Sequence, residues 1–296
     1  MSTLEEDIRP VVTVTLNPAI DQTITVEALR PGHVHRASAV RRNAGGKGVN
    51  VASCLADWGT PVVATGLLGS GNAAAFEALF AAKGIADRFV RLPGETRVNV
   101  KIADLAAADT TDLNLPGLTA DADALDRVRR TLRELVLPGT PVLLAGSLPD
   151  GLPADSYATL TADLRAQGAR VVLDSSGPPL AAALAAPDLP FCIKPNRHEL
   201  EAWAGAPLPA TADLLEAARG LHRSGVAVVV GSLGADGALF VAGGPALHAR
   251  LPAGNARGTG GAGDTIGGGA GGGIRHGGAV GRGAPAAGGL GPAQVG

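Results

Sequence analysis

The 296-residue sequence predicts an α/β fold, a mostly parallel central sheet covered by helices on both faces, with a small β-sheet lid beside it. Three observations predict it. Short continuous apolar runs alternate with longer stretches whose apolar residues recur at helical spacing, as strands buried on both faces and their covering helices do. Polar and Gly-rich segments follow those runs directly, at the strand ends where ligands bind in such sheets. Two other segments, QTITVE (22–27) and TRVNVKI (96–102), alternate polar with apolar residues. They fit strands with one wet face, outside the doubly covered sheet.

In order along the chain, VVTVTL (11–16) reads as a buried strand ended by Asn17-Pro18, and 22–27 as the first half-wet strand. After Gly45-Gly46-Lys47-Gly48, residues 49–58 carry helical spacing and Gly59 stops the helix. A strand follows at 62–67, a helix at 73–83 closed by Gly84, and the second half-wet strand at 96–102. Helices are then expected at 121–136, 154–167, 178–186, 197–204 and 211–224. Strands are expected at 141–145, 170–174, 190–193 and 226–230, with a hairpin at 237–250.

Composition narrows the function. The net charge of −2, from 25 basic and 27 acidic residues, gives no footprint for nucleic acid or an anionic membrane. The acidic start MSTLEEDIRP has no apolar stretch and is not read as a signal peptide, so the protein is expected in the cytoplasm. Cys54 and Cys192 have apolar neighbours and no metal-ligand spacing, which predicts buried free thiols. Arg is the default cation: there are only four lysines, and Lys47, Lys101 and Lys194 fall inside motifs.

Asp21, just past the first strand, could accept hydrogen bonds from two vicinal hydroxyls of a sugar; a turn with a solvated Asp is the plain alternative. Gly45-Gly46-Lys47-Gly48-Val49-Asn50 enters a helix, where small residues and N–H groups favour anions or sugar oxygens. It is not a Walker A loop, because Gly48 stands where a metal-binding Ser or Thr would be. Arg97, Asn99 and Lys101 alternate along one strand and share a face suited to a phosphate, or to water. Asn196 and Glu199 have the spacing of a capping box, which competes with a role near phosphates and magnesium. Ser232 to Gly237 form a turn where a nucleotide could lie. Gly261-Ala262-Gly263-Asp264 would aim backbone N–H groups and a carboxylate at one spot, the pairing that phosphoryl transfer requires. A GxGxxG match at Gly258, Gly260 and Gly263 lies in glycine-dense sequence without the acidic partner ~20 residues on, and predicts no dehydrogenase.

Taken together, TLNPAID, AGGKGVNVA, TRVNVKI, TDLNLPG, GSLPDG, LDSSG, KPNRHELE, SLGADGA and GGAGD resemble, in order, the ribokinase-like (PfkB) carbohydrate kinases. The TDLN segment, Thr111 to Asn114, leans toward the fructose-1-phosphate branch of that family. The resemblance implies a single ribokinase-like kinase domain whose lid is built from about 21–42 and 92–116. It implies ATP and Mg2+ as cofactors, and phosphorylation of fructose 1-phosphate at O6. A kinase for tagatose 6-phosphate or fructose 6-phosphate, or a catalytically weak sugar-phosphate binder, are the alternatives. It implies Asp264 as general base, with Gly261, Ala262 and Gly263 as the anion hole. Asp21, Gly45, Gly46, Lys47, Asn50 and Ser147 would hold the sugar, and Arg97, Asn99 and Lys101 its phosphate. Lys194, Asn196, Glu199, Ser232, Gly234 and Gly237 would serve ATP, Glu199 also reaching the metal through water. A homodimer formed through the lid is also implied.

The tail departs from that family. Residues 265–296 contain 14 Gly and little periodicity, and the eight between Gly267 and Gly278 would cost a helix about 8 kcal/mol relative to Ala. The tail is expected to be a sequence error or a frameshifted end rather than an evolved segment, because out-of-frame GC-rich DNA yields this composition.

Overall fold

The structure is a computed structural model and describes residues 9–250. Asp264, the glycines before it and the tail from 265 lie outside the described residues.

The chain opens with β1 (Val11–Thr15), whose five side chains are all buried. Only Leu16, Asn17 and Pro18 separate it from β2 (Ala19–Val26). Asp21 therefore sits within a strand and not in the turn expected after Asn17-Pro18. The next strand, β3 (Ala39–Gly45), was not apparent in the sequence, because five of its seven residues are exposed and it shows no apolar alternation. A single residue, Gly46, then leads into α1 (Lys47–Asp57). β4 (Val62–Gly69) is wholly buried. It is followed by α2 (Ala74–Lys83), which Gly84 ends in the left-handed conformation.

Two short strands come next, β5 (Ala86–Asp87) and β6 (Val90–Leu92), then β7 (Val98–Asp104) and β8 (Asp109–Asn114). α3 (Ala122–Leu135) starts where the Asp121 side chain accepts from the Ala124 N–H. The alternating part of the chain continues through β9 (Pro141–Ala145), α4 (Ser156–Ala166), β10 (Arg170–Asp174) and α5 (Gly177–Ala185). It ends with β11 (Cys192–Ile193), α6 (Arg197–Ala204), α7 (Thr211–Arg223), β12 (Val228–Ser232) and the hairpin β13 (Ala238–Val241) and β14 (Leu247–Ala249).

The large sheet has the order β14-β13-β12-β11-β10-β9-β1-β4-β5, with β6 also on β4. Its pairs are parallel except β12–β13 and β13–β14. Alternation along the strands divides the core in two. Val12 and Val14 join a cluster with α3 to α7, built on Val128, Tyr157, Leu164 and Leu221. Val11 joins the cluster under α1 and α2, with Leu55, Phe76 and Phe80.

The smaller sheet has the order β3-β2-β7-β8, antiparallel but for the central β2–β7 pair. It takes its strands from two excursions, 19–45 and 98–114, that leave the large sheet at its carboxyl edge. Ile20, with Ala44 and Val98, anchors one end of it onto the cluster of α1 and α2. Cys192 is buried and Cys54 partly so.

Candidate active site

The carboxyl edge of the large sheet gathers the polar motifs. At its centre stands Asp174, the last residue of β10, with 4% of its surface exposed. Its Oδ1 accepts from Lys47 Nζ at 3.0 Å, and its Oδ2 pairs with Lys194 Nζ at 3.2 Å. One carboxylate thus holds two of the three motif lysines, one from the start of α1 and one from the end of β11. The charge reaches below the sheet end: burial, with Asp174 adding to it, pushes the Cys192 thiol up to about 12 and raises the Tyr157 hydroxyl well above its usual range. Asp174 was not singled out in the sequence. The available signal was a lone carboxylate closing an otherwise apolar strand, RVVLD, in a chain with few lysines.

Beside Lys194, Asn196 and Glu199 form the capping box that their spacing predicts. Asn196 Oδ1 accepts from the Glu199 N–H at 3.0 Å and Glu199 Oε2 from the Asn196 N–H at 2.8 Å. Burial raises the Glu199 carboxyl above its ordinary value, with the nearby Lys47 and Lys194 opposing the shift. Ser232 ends β12 next to this box: its N–H donates to the Pro195 carbonyl at 2.8 Å, and it bridges to Asn196. Gly234 and Gly237 flank the following turn, both with positive φ. Gly237 has a structural reason besides, since a Cβ there would lie 2.0 Å from the Ala249 carbonyl oxygen.

On the other side, Asp21 faces Asn99 across the β2–β7 pair, and Asn99 Nδ2 donates to its Oδ1 at 3.2 Å. Asn99 Oδ1 is buried without a hydrogen-bond partner, so an acceptor is left for a hydroxyl. A Cβ on Gly45 would lie 2.3 Å from Asp21 Oδ2, so only glycine leaves this carboxylate its place. Burial raises the Asp21 carboxyl, while Asn99, Arg97 and Lys101 lower it.

Gly46 has φ 110° and a Cβ there would touch Pro18, which fixes glycine at the entry to α1. Asn50 lies one turn into α1, its N–H donating to the Gly46 carbonyl at 2.9 Å. Ser147, exposed after β9, accepts from Asn17 Nδ2 at 3.1 Å.

Arg97 and Lys101 are not open cations. Arg97 donates to the carbonyls of Pro18 and Asn17, both at 3.3 Å, and burial lowers its pKa. Lys101 pairs with Asp112 at 2.6 Å. Around Asp174 the structure brings together Lys47, Lys194 and the nearby Glu199. Asp264, Gly261, Ala262 and Gly263 fall outside the described residues.

Among the described residues no helix is long and apolar enough to cross a membrane, and no group of three or more His, Cys, Asp or Glu could hold a metal ion.

Residues 14–280 match the model of the pfkB family of carbohydrate kinases. A 1-phosphofructokinase of Xanthomonas campestris pv. campestris is 56% identical over 243 residues, which are 81% of this chain and 76% of the relative. A 1-phosphofructokinase of Rhodobacter capsulatus is 50% identical over 258 residues, 86% of this chain and 81% of its own length. Among solved structures, phosphofructokinase-2 from Escherichia coli in complex with substrates and products superposes with a TM-score of 0.88 at 28% identity, covering 93% of this chain and 89% of that one. A structure built around two lysines, a buried carboxylate and a sheet of polar side chains agrees with these similarities: the chain belongs to the pfkB family of carbohydrate kinases.

Proposed function

We propose that the protein transfers the γ-phosphoryl group of ATP to O6 of fructose 1-phosphate, giving fructose 1,6-bisphosphate and ADP. The observation that carries this reading is the pairing of Asp174 with both Lys47 and Lys194, which holds two ammonium groups at the carboxyl edge of the large sheet, where they would suit phosphate groups. Identities of 56% and 50% to relatives named 1-phosphofructokinase choose the substrate.

In this reading Asp21 and the unpartnered Asn99 Oδ1 accept from sugar hydroxyls, with Gly45, Gly46, Lys47, Asn50 and Ser147 around them. Lys194, Asn196, Ser232, Gly234 and Gly237 line ATP. Asp264 takes the proton from O6 while the N–H groups of Gly261, Ala262 and Gly263 stabilise charge on the moving phosphoryl. Glu199 fits a magnesium ion, because only Oε2 is engaged by the capping box and a half-buried carboxylate gains from a cation beside it. When bound, the ion would neutralise phosphate charge. The smaller sheet acts as a lid that excludes water as a competing acceptor. Its outer face carries Ile24, Val40, Val100, Ile102 and Leu113, with Val40 54% and Leu113 50% exposed. That apolar stripe supports a homodimer through the lid. Use of ATP supports a cytoplasmic reaction.

A coupled ADP-release assay over a panel of sugars tests the reading. Fructose 1-phosphate is expected to give a higher kcat/KM than fructose 6-phosphate or tagatose 6-phosphate. Free fructose should be lower by at least about 10²-fold, since it leaves the phosphate-binding groups unpaired. Equal turnover of fructose and its 1-phosphate would reject it.

Asp21 provides a second test. A carboxyl whose pKa is raised by folding holds its proton more tightly in the folded chain, so stability falls as pH rises through the raised value and stays lower at neutral pH. Asp21→Asn should therefore keep or raise Tm at neutral pH while sugar binding collapses. The acid limb of kcat/KM for the sugar phosphate should lie above the ordinary Asp value in the wild type. A loss of Tm equal to that of a core substitution would show that Asp21 is structural.

A further inference from the structure

Two excursions into the smaller sheet make four passages between the sheets, and all four meet at Asn17-Pro18. The first passage, from β1 into β2, is Asn17-Pro18 itself. The second, from β3 into α1, runs through Gly46, where a Cβ would lie 3.0 Å from Pro18 Cα. The third enters β7 through Arg97, whose guanidinium donates to the Asn17 and Pro18 carbonyls, both at 3.3 Å. The fourth leaves β8 through Gly117, where a Cβ would lie 2.4 Å from Asn17 Oδ1. The loop after β9 reaches the same point. There Asn17 Nδ2 donates to Ser147 Oγ at 3.1 Å and to the Leu148 carbonyl at 3.2 Å. A carbonyl only accepts, so the Leu148 contact fixes which end of the amide is the nitrogen.

We propose that Asn17 is a positioning residue that sets the Ser147 hydroxyl as a hydrogen-bond donor to the substrate. The proposal rests on the kinase reading above and deepens it. The two amide hydrogens go to Leu148 and Ser147, so Ser147 Oγ is an acceptor toward Asn17 and its own proton points elsewhere. Ser147 is exposed, and among the described residues no acceptor takes that proton. Its loop starts beside the lysine cluster. The Gly146 N–H donates to the Asp174 carbonyl at 2.9 Å, and a Cβ on Gly146 would lie 4.0 Å from Lys47 Cβ. The proton thus suits a ligand held near Lys47, and a sugar phosphate offers hydroxyl and anionic oxygens to accept it. A serine hydroxyl without the amide turns among its staggered positions, so Asn17 removes that freedom before the ligand arrives. A turn of the lid about the meeting point of its four passages moves Asn17 least, which keeps Ser147 aimed as the lid closes.

Steady-state kinetics, titration calorimetry with fructose 1-phosphate and thermal scans of four variants test this. They are Ser147→Ala, Asn17→Ala, Asn17→Leu and the double variant Asn17→Ala, Ser147→Ala. Ser147→Ala should raise KM and Kd about 10–100-fold, with a much smaller fall in kcat. Asn17→Ala should raise both about 5–10-fold, and adding it to Ser147→Ala should cost less than about twofold more, because the hydroxyl it orients is gone. Asn17→Leu keeps the bulk that the passages pack against but not the amide, so it should recover Tm relative to Asn17→Ala and leave KM raised. ATP affinity should stay within about twofold throughout, since no nucleotide-side residue changes. Losses that multiply in the double variant would make Asn17 independent of Ser147 and overturn the proposal. Recovery of KM by Asn17→Leu would reduce Asn17 to packing and overturn it as well. If Ser147→Ala binds fructose 1-phosphate as the wild type does, the serine is no ligand, and the proposal fails while the kinase reading stands. If the wild type prefers another sugar phosphate, the substrate reading fails, and the same cycle on that substrate decides the role of Asn17.

Discussion

Asp174→Ala is expected to lower the thermal midpoint by about 10 °C and kcat/KM by about 10²-fold or more. Removing one member of a buried ion pair leaves the other charge without its partner, at a cost of about 3–5 kcal/mol. For a chain of this size each kcal/mol shifts Tm by about 2–4 °C. The two lysines will not share the loss equally. The Lys194 side chain is 10% exposed and cannot turn to water, whereas Lys47 is 42% exposed and can. Most of the instability therefore comes from Lys194, and the double variant Asp174→Ala, Lys194→Met should recover much of the Tm without recovering activity. Calorimetric scans of the three proteins, beside their kinetics, measure this. A double variant no more stable than Asp174→Ala would show that the lysine is not the stranded charge.

Asp264→Asn should lower kcat by about 10²–10⁴-fold and leave ATP affinity nearly unchanged. The amide keeps the shape of the carboxylate but cannot accept the proton of O6, while the N–H groups of Gly261, Ala262 and Gly263 are untouched. Transfer to water without sugar should be less affected than transfer to the sugar, because water is deprotonated less efficiently from the outset. Single-turnover kinetics with equilibrium nucleotide binding separate the two effects. Wild-type kcat in the variant would remove Asp264 from the reaction.

Much of the large sheet was legible because its strands are buried on both faces. Runs such as PVLLA at 141–145 and RVVLD at 170–174 matched their strands residue for residue. Two of the strands that escaped notice, Ala39–Gly45 and Asp109–Asn114, are edge strands of the smaller sheet, held by pairing and not by burial, so they carry no apolar signature; Ala86–Asp87 and Val90–Leu92 also escaped notice and are only two and three residues long. Of the motif residues, Lys47, Lys194 and Glu199 lie near one another at the strand ends. Asn196 and Glu199 turned out to satisfy the capping geometry outright, with one Glu199 oxygen to spare. What the spacing could not supply was pairing across the fold. Lys47 and Lys194 are 147 residues apart in number, and only the parallel order of β1, β9, β10 and β11 brings them to Asp174. Likewise the alternation of Arg97, Asn99 and Lys101 gave a shared face but not the partners that engage the two cations.

The central β2–β7 pair of the lid has a consequence for how such proteins diverge. It joins residues 20–26 to residues 98–104 in seven consecutive register pairs, although α1, β4 and α2 intervene in the chain. Asp21 and Asn99 are a matched couple inherited from two separate stretches. A crossover between two homologous genes at any point from 46 to 97 would give each recombinant one native and one foreign half of that couple. Recombination breakpoints should therefore be rare in that interval, and a chimaera made to change substrate must exchange 19–45 and 98–114 together.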